Sequence, residues 1–211
     1  MPPLLKGAVL GLSIAAPVGP IGLLCIQRSM ASGRGAGLAC GLGAATADAF
    51  YGAVAAFGLA AVSSFLLHVQ TPLQLCGGLF LLYLGVSTLR QKPTSPGASL
   101  ENSPHVLRLF ISTCLLTLAN PMTILSFSVV FAGVGLGTEL AGSGAALSMV
   151  IGVFLGSALW WCILSSVAAR LGARLTPKRL RWINVLAGIS ILVFATWQLS
   201  ILAKRGVAGE F

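Results

Sequence analysis

The sequence predicts an all-α, polytopic membrane protein in which six transmembrane helices form two inverted three-helix repeats. Three observations carry that reading. Of 211 residues, 56% are hydrophobic and only 8% are charged, where a soluble domain carries roughly 25% charged residues. The apolar residues gather in six runs that are almost free of charge, each near or above the roughly 20 residues that cross about 30 Å of hydrocarbon. The two halves of the chain also match each other weakly but in register.

The expected spans lie near residues 6–27, 37–64, 72–89, 108–132, 144–168 and 182–203. The whole chain, 1–211, is then one transmembrane domain, with a first repeat over 6–90, a polar linker over 91–107 and a second repeat over 108–203. The start resembles a signal peptide, with Lys6, an apolar stretch and the small residues Ala15 and Ala16, but the apolar run continues through Ile26 and is long enough to span.

The first span is interrupted by Pro17-Val18-Gly19-Pro20, and the fourth by Asn120-Pro121. Proline lacks an N–H and clashes with the carbonyl one turn earlier, so both helices should break there. The freed backbone groups cannot remain bare in lipid and must face protein, water or a solute. Asn120 is suited either to satisfying such groups or to holding the polar end of a substrate. Broken helices at corresponding places in two halves point to a transport site.

The second span is longer than the hydrocarbon requires, so it tilts or begins as a Gly-rich turn. It carries Asp48, while the three other acidic residues, Glu101, Glu139 and Glu210, fall in loops or the tail. A carboxyl group at mid-membrane costs about 2.5 kcal/mol or more, which makes it a functional candidate. It can carry a proton, face a cationic substrate group, cap a broken helix end or bond Tyr51. The third span ends at Arg90, and Pro93, Pro96, Gly97 and Pro104 break the linker that follows.

In the fifth span Gly152, Ser157 and Trp160 follow Gly43, Asp48 and Tyr51 at an offset of 109 residues; Gly78 and Gly188 match at 110, and Pro17 and Pro121 at 104. A unit of three spans can repeat only upside down, and inverted repeats mark secondary transporters with a site between the halves. Tyr51, Trp160 and Trp161 read first as packing residues, although aromatic faces also suit ammonium groups. The small-residue steps Gly41 to Ala45 and Gly152 to Gly156 suit close helix contact, and Gly33 to Gly37 suits a turn.

Of the 13 Lys and Arg residues, ten fall on one face of the six alternating spans and Lys6, Lys204 and Arg205 on the other. The positive-inside rule makes the first face cytoplasmic and puts both termini outside. The run Arg170 to Arg181 is then an anchor at an anionic leaflet, and the net charge of +9 implies lipid contact and no nucleic acid. Cys25, Cys40, Cys76, Cys114 and Cys162 lie in apolar runs with no C-x-x-C spacing, and His68 and His105 fall in different loops. Neither a metal cluster nor a cofactor site is expected. No paired nucleophile and base, Walker motif or dinucleotide fingerprint appears, so the chain is expected not to be an enzyme and not to hydrolyse ATP.

These motifs together resemble the LysE/RhtB family of bacterial amino-acid exporters along essentially the whole chain. The matching stretches are APVGP, GRGAGLACGLGAATADAFYG, LLYLGVSTLR, NPMTILSF, GSALWW and RWINVLAG, in that order. The resemblance implies a secondary exporter of amino acids or related small metabolites in the bacterial inner membrane, coupled to protons by alternating access. It also implies site elements at Pro17, Gly19, Pro20, Asp48, Asn120 and Pro121; Tyr51, Ser157 and Trp160 join them from the repeat. The amino acid, the stoichiometry and the choice between monomer and homodimer are left open. Two other readings compete: a thiol–disulfide conduit using Cys25 and Cys114, and a passive channel or metal-ion exporter. The first lacks a soluble thiol domain, and a lone carboxylate suits metals poorly.

Overall fold

The computed structural model describes residues 1–17, 19–57, 70–90, 106–120, 123, 126–127 and 143–207, with no account of the side chains of 70, 73, 177 and 205–207. Seven helices run through these residues, and no strand occurs among them: α1 (Pro3–Ala15), α2 (Pro20–Ser32), α3 (Arg34–Ala56), α4 (Gln70–Arg90), α5 (Val106–Leu118), α6 (Ser143–Gly172) and α7 (Pro177–Val207). Among the described residues, α3, α6 and most of α7 are long and apolar enough to cross a membrane. The pair α1 and α2, bent by 82° at its break, makes a fourth crossing if taken as one span. α4 covers the third expected run, and α5 covers the first part of the fourth; most of residues 119–132 lie outside the described set, as do His68, His105 and the linker 91–105.

Element boundaries follow local chemistry. Gly33, at φ 84°, occupies the left-handed region and separates α2 from α3, a conformation that a side chain would strain. The expected Gly-rich turn is therefore one residue long. The second span begins as helix at Arg34 rather than at 37, and Gly37 becomes a packing residue against Ser29 and Ser165. At the same end of the bundle, where Gly172 packs against Met30, α6 ends at Gly172 and α7 begins at Pro177, so much of the basic run is helical.

Packing relies on small residues because lipid supplies no hydrophobic drive between helices. α6 crosses α1 so closely that a Cβ on Gly152 would strike the carbonyl of Leu4, and one on Gly156 that of Ala8. α3 crosses α5 in the same manner, where a Cβ on Gly43 would strike the carbonyl of Phe110. α4 and α7 meet through Gly78 against Leu199 and Gly188 against Leu89. On the outer side of α6, Leu147, Ile151, Leu155, Leu159, Ile163 and Val167 form an exposed apolar ridge at every fourth residue. Such a ridge is unfavourable in water and suited to acyl chains. Trp182 and Trp197 add exposed aromatic rings on α7. The apolar helices make this a multi-pass membrane protein.

Candidate functional site

Asp48 lies within α3 and is 3% exposed. Ser157, buried on α6, donates its hydroxyl to Asp48 Oδ2 at 2.6 Å. One turn along α6, Trp161 Nε1 donates to Ser157 Oγ at 3.1 Å. Positions four apart share a helix face, so α6 presents both residues to α3. The result is a directed chain from indole to hydroxyl to carboxyl at the α3–α6 contact. Around it, Gly41 meets the side chain of Trp161 and Gly52 that of Val153, which lets the two helices approach.

Tyr51 follows Asp48 by one turn and ties α3 to the second break. Its hydroxyl donates to the carbonyl of Leu118 at 2.6 Å. That carbonyl belongs to the last turn of α5, where a helix end leaves acceptors without intrahelical donors. Beyond the break, the ring of Phe127 stacks on Tyr51 with centroids 5.5 Å apart. Tyr51 therefore holds chain on both sides of Asn120-Pro121. The amide of Asn120 bonds the carbonyl of Thr117 and its own carbonyl accepts from Thr123, which turns the backbone here. Pro121 itself lies outside the described residues, as does Val18.

At the first break α1 ends as the Ala16 amide bonds the Leu12 carbonyl, and α2 starts at Pro20 after an extended Gly19. Pro20 is buried and Pro17 is exposed. Gly19, the residue before the first turn of α2, has no side chain with which to cap it. At Gly19 the backbone is one that any residue adopts, and an added Cβ would meet no described residue within 4 Å. Among the described residues, neither a strained backbone nor a close contact requires the glycine there.

The two breaks meet at a cavity of about 10 Å³, lined by Pro20, Ile21, Gly77, Asn120, Phe194 and Gln198 among others. That volume is at the lower limit for a single water. Asp48 and Ser157 do not line it. The expected site thus divides into a sealed carboxyl cluster and a small cavity at the breaks, linked along α3 and α5 through Tyr51.

Three polar contributors are not prominent in the sequence. Trp161, not Trp160, donates to Ser157, whereas Trp160 Nε1 is buried without a hydrogen-bond partner. Gln198, 4% exposed on α7, donates through Nε2 to the carbonyl of Gln74 on α4 at 3.0 Å. A buried amide in an apolar span is the signal that singles out Gln74 and Gln198, by the same argument that singles out Asp48. All five cysteines are free, and the thiol of Cys25 lies within hydrogen-bonding reach of Cys40. No group of three His, Cys, Asp or Glu side chains able to hold a metal occurs among the described residues.

Comparison with known proteins follows the same lines. The family model for LysE type translocators matches residues 12–200. The chain is 34% identical over 196 residues to the "Putative amino acid efflux protein YcgF" of Bacillus subtilis (strain 168), covering 88% of this chain and 90% of that protein. It is 32% identical over 175 residues to the "Uncharacterized membrane protein YahN" of Escherichia coli (strain K12), covering 81% and 77% respectively. No solved structure matches significantly. With a family match over most of its length and relatives aligned nearly end to end, the chain belongs to the LysE type translocator family.

Proposed function

We propose that this translocator is a secondary exporter of amino acids or related small metabolites across the bacterial inner membrane. Solute moves outward in exchange for inward protons, and two halves of three spans rock around the paired breaks. The observation that carries this reading is the bond between Ser157 and Asp48, a buried acid at the contact between the halves. The amino-acid efflux assignment of the Bacillus relative supports the substrate class.

The inverted repeat is supported by reciprocal packing. Gly78 packs on Leu199 and Gly188 on Leu89, and exchanging the halves at an offset of 110 turns one contact into the other. Gly43 faces the carbonyl of Phe110 and the amide of Cys114, while its match Gly152 faces the carbonyl of Leu4 and the amide of Ala8. Six spans then comprise α1 with α2, α3, α4, α5 with the residues after it, α6 and α7. The charge asymmetry supports an orientation with the basic loops in the cytoplasm and both termini outside.

Within this scheme Asp48 carries the proton and the two breaks supply backbone groups for the solute. Cells overproducing the protein and challenged with toxic levels of single amino acids should gain resistance to at least one, with a lowered internal pool. Unchanged resistance and unchanged pools across all twenty would overturn the exporter reading. Rapid flux of that amino acid through reconstituted protein at zero proton-motive force would instead identify a passive pore.

A further inference from the structure

Two of the five thiols lie side by side, and the exchange of solute for protons uses neither. Cys25 on α2 and Cys40 on α3 are both fully buried, belong to one apolar cluster and come within hydrogen-bonding reach of each other. Their meeting follows from the turn at Gly33. α2 and α3 pack against each other from that single left-handed residue, so positions about equally far from it face one another. An added Cβ on Gly37, four residues after Gly33, would strike the hydroxyl of Ser29, four residues before it. Cys25 lies one turn further along α2 and Cys40 about one turn further along α3, so the same close approach brings their sulfurs together.

A buried thiol packs as a small apolar group, and for one cysteine nothing more would follow. Two thiols in contact on different helices can also be joined. We propose that Cys25 and Cys40 form a redox-sensitive tie, a dithiol that a peroxide closes to a disulfide and so fixes α2 against α3. The sealed site selects the oxidant, since sulfurs without exposed surface are reached by a small uncharged molecule and not by a bulky charged one. In the first step one sulfur loses its proton and attacks a peroxide oxygen, the O–O bond breaks, and a sulfenic acid and water result. In the second the other sulfur, losing its proton, displaces that hydroxyl as water and the S–S bond forms. Two thiols and one hydrogen peroxide thus give one disulfide and two waters, with two electrons passing from sulfur to the peroxide oxygens. A dithiol reductant reverses the change by exchange.

The consequence for transport rests on the exporter reading, whereas the chemistry of the pair does not. α2 starts at the first break, where Pro20 and Ile21 line the cavity, and α3 carries Asp48. Opening the breaks turns α2 on Gly33 away from α3. A bond between residues 25 and 40 spans that joint and holds it shut.

The test uses the full-length protein in proteoliposomes, treated with hydrogen peroxide. After alkylation and digestion without reductant, mass spectrometry should find the peptides carrying Cys25 and Cys40 joined in most molecules and parted by dithiothreitol. Efflux of whichever of the twenty protein amino acids is transported should fall at least tenfold on oxidation and return on reduction. Oxidised glutathione, bulky and charged, should neither join the peptides nor slow efflux. Cys25→Ala and Cys40→Ala should transport at the wild-type rate and keep it in peroxide; Cys25→Ser and Cys40→Ser take their place if an alanine variant does not fold. Peroxide that leaves both thiols open to alkylation, or takes either to sulfinic acid without a link, overturns the tie. A linked protein that transports at the unlinked rate overturns its effect on α2, as does equal inhibition of the single variants by peroxide. Transport of none of the twenty by untreated protein would overturn the exporter reading instead, and the peptide linkage would still decide the chemistry.

Discussion

Ser157 on α6 donates to Asp48 on α3 at 2.6 Å, and the two residues stand 109 positions apart, the offset at which the halves of the sequence match. Residues exchanged by a twofold axis can touch only beside that axis. In the proposed inverted repeat, the bond marks a pair beside the axis. It places the buried acid where relative motion of α3 and α6 would be felt first.

Replacing Ser157 by Ala removes the donor to Asp48 and the acceptor for Trp161 together. The folded state should lose about 1–3 kcal/mol, read as a lowered thermal unfolding midpoint in detergent. A midpoint equal to the wild type would show that the hydroxyl contributes nothing to the α3–α6 contact.

The two adjacent tryptophans should behave differently. Trp161→Phe breaks a hydrogen bond and should destabilise by about 1 kcal/mol. Trp160→Phe removes an indole N–H that is buried without a partner, so it should be neutral or stabilising. Chemical denaturation of both variants in parallel checks the contrast, and the reverse order would contradict the assignment.

Tyr51→Phe keeps the stacking on Phe127 and loses the bond to the Leu118 carbonyl. The last turn of α5 should then open more often, seen as faster amide hydrogen exchange over residues 115–120 with little change in α6. Unchanged exchange there would mean that Tyr51 does not hold the second break.

A glycine at a close approach and a glycine without one should also separate. Gly152→Val should impair assembly, because its first added atom meets the backbone of α1, and overpacking of this kind costs about 1–3 kcal/mol. Gly19→Ala meets no described residue within 4 Å and should fold at wild-type yield while transporting more slowly. Normal transport by Gly19→Ala would show that the space beside the first break is not used.

Much of this arrangement is legible in the sequence because it rests on local chemistry. Pro20 fixes the start of α2 and Asp48 stands out in an apolar run, while the sequence aligns Asp48 with Ser157 and only the packing of α3 on α6 brings the two into contact. What depends on the rotation of one helix against another is not legible. The sequence pattern aligns Tyr51 with Trp160, yet the face that α6 turns toward Asp48 carries Trp161. Gln198 acquires its role only when α4 and α7 meet, which no spacing in either helix reveals. Nor does the sequence reveal that Gly19 adopts an ordinary extended conformation.

Transport by Asp48→Asn tests the proton-carrier role most directly. Proteoliposomes loaded with the transported amino acid should release it severalfold faster when the outside is made acidic, because inward protons drive outward solute. The Asn variant, similar in shape but unable to carry the proton, should exchange solute across the membrane and ignore the pH gradient. Acceleration of the Asn variant by the same gradient to the same degree would contradict proton coupling through Asp48.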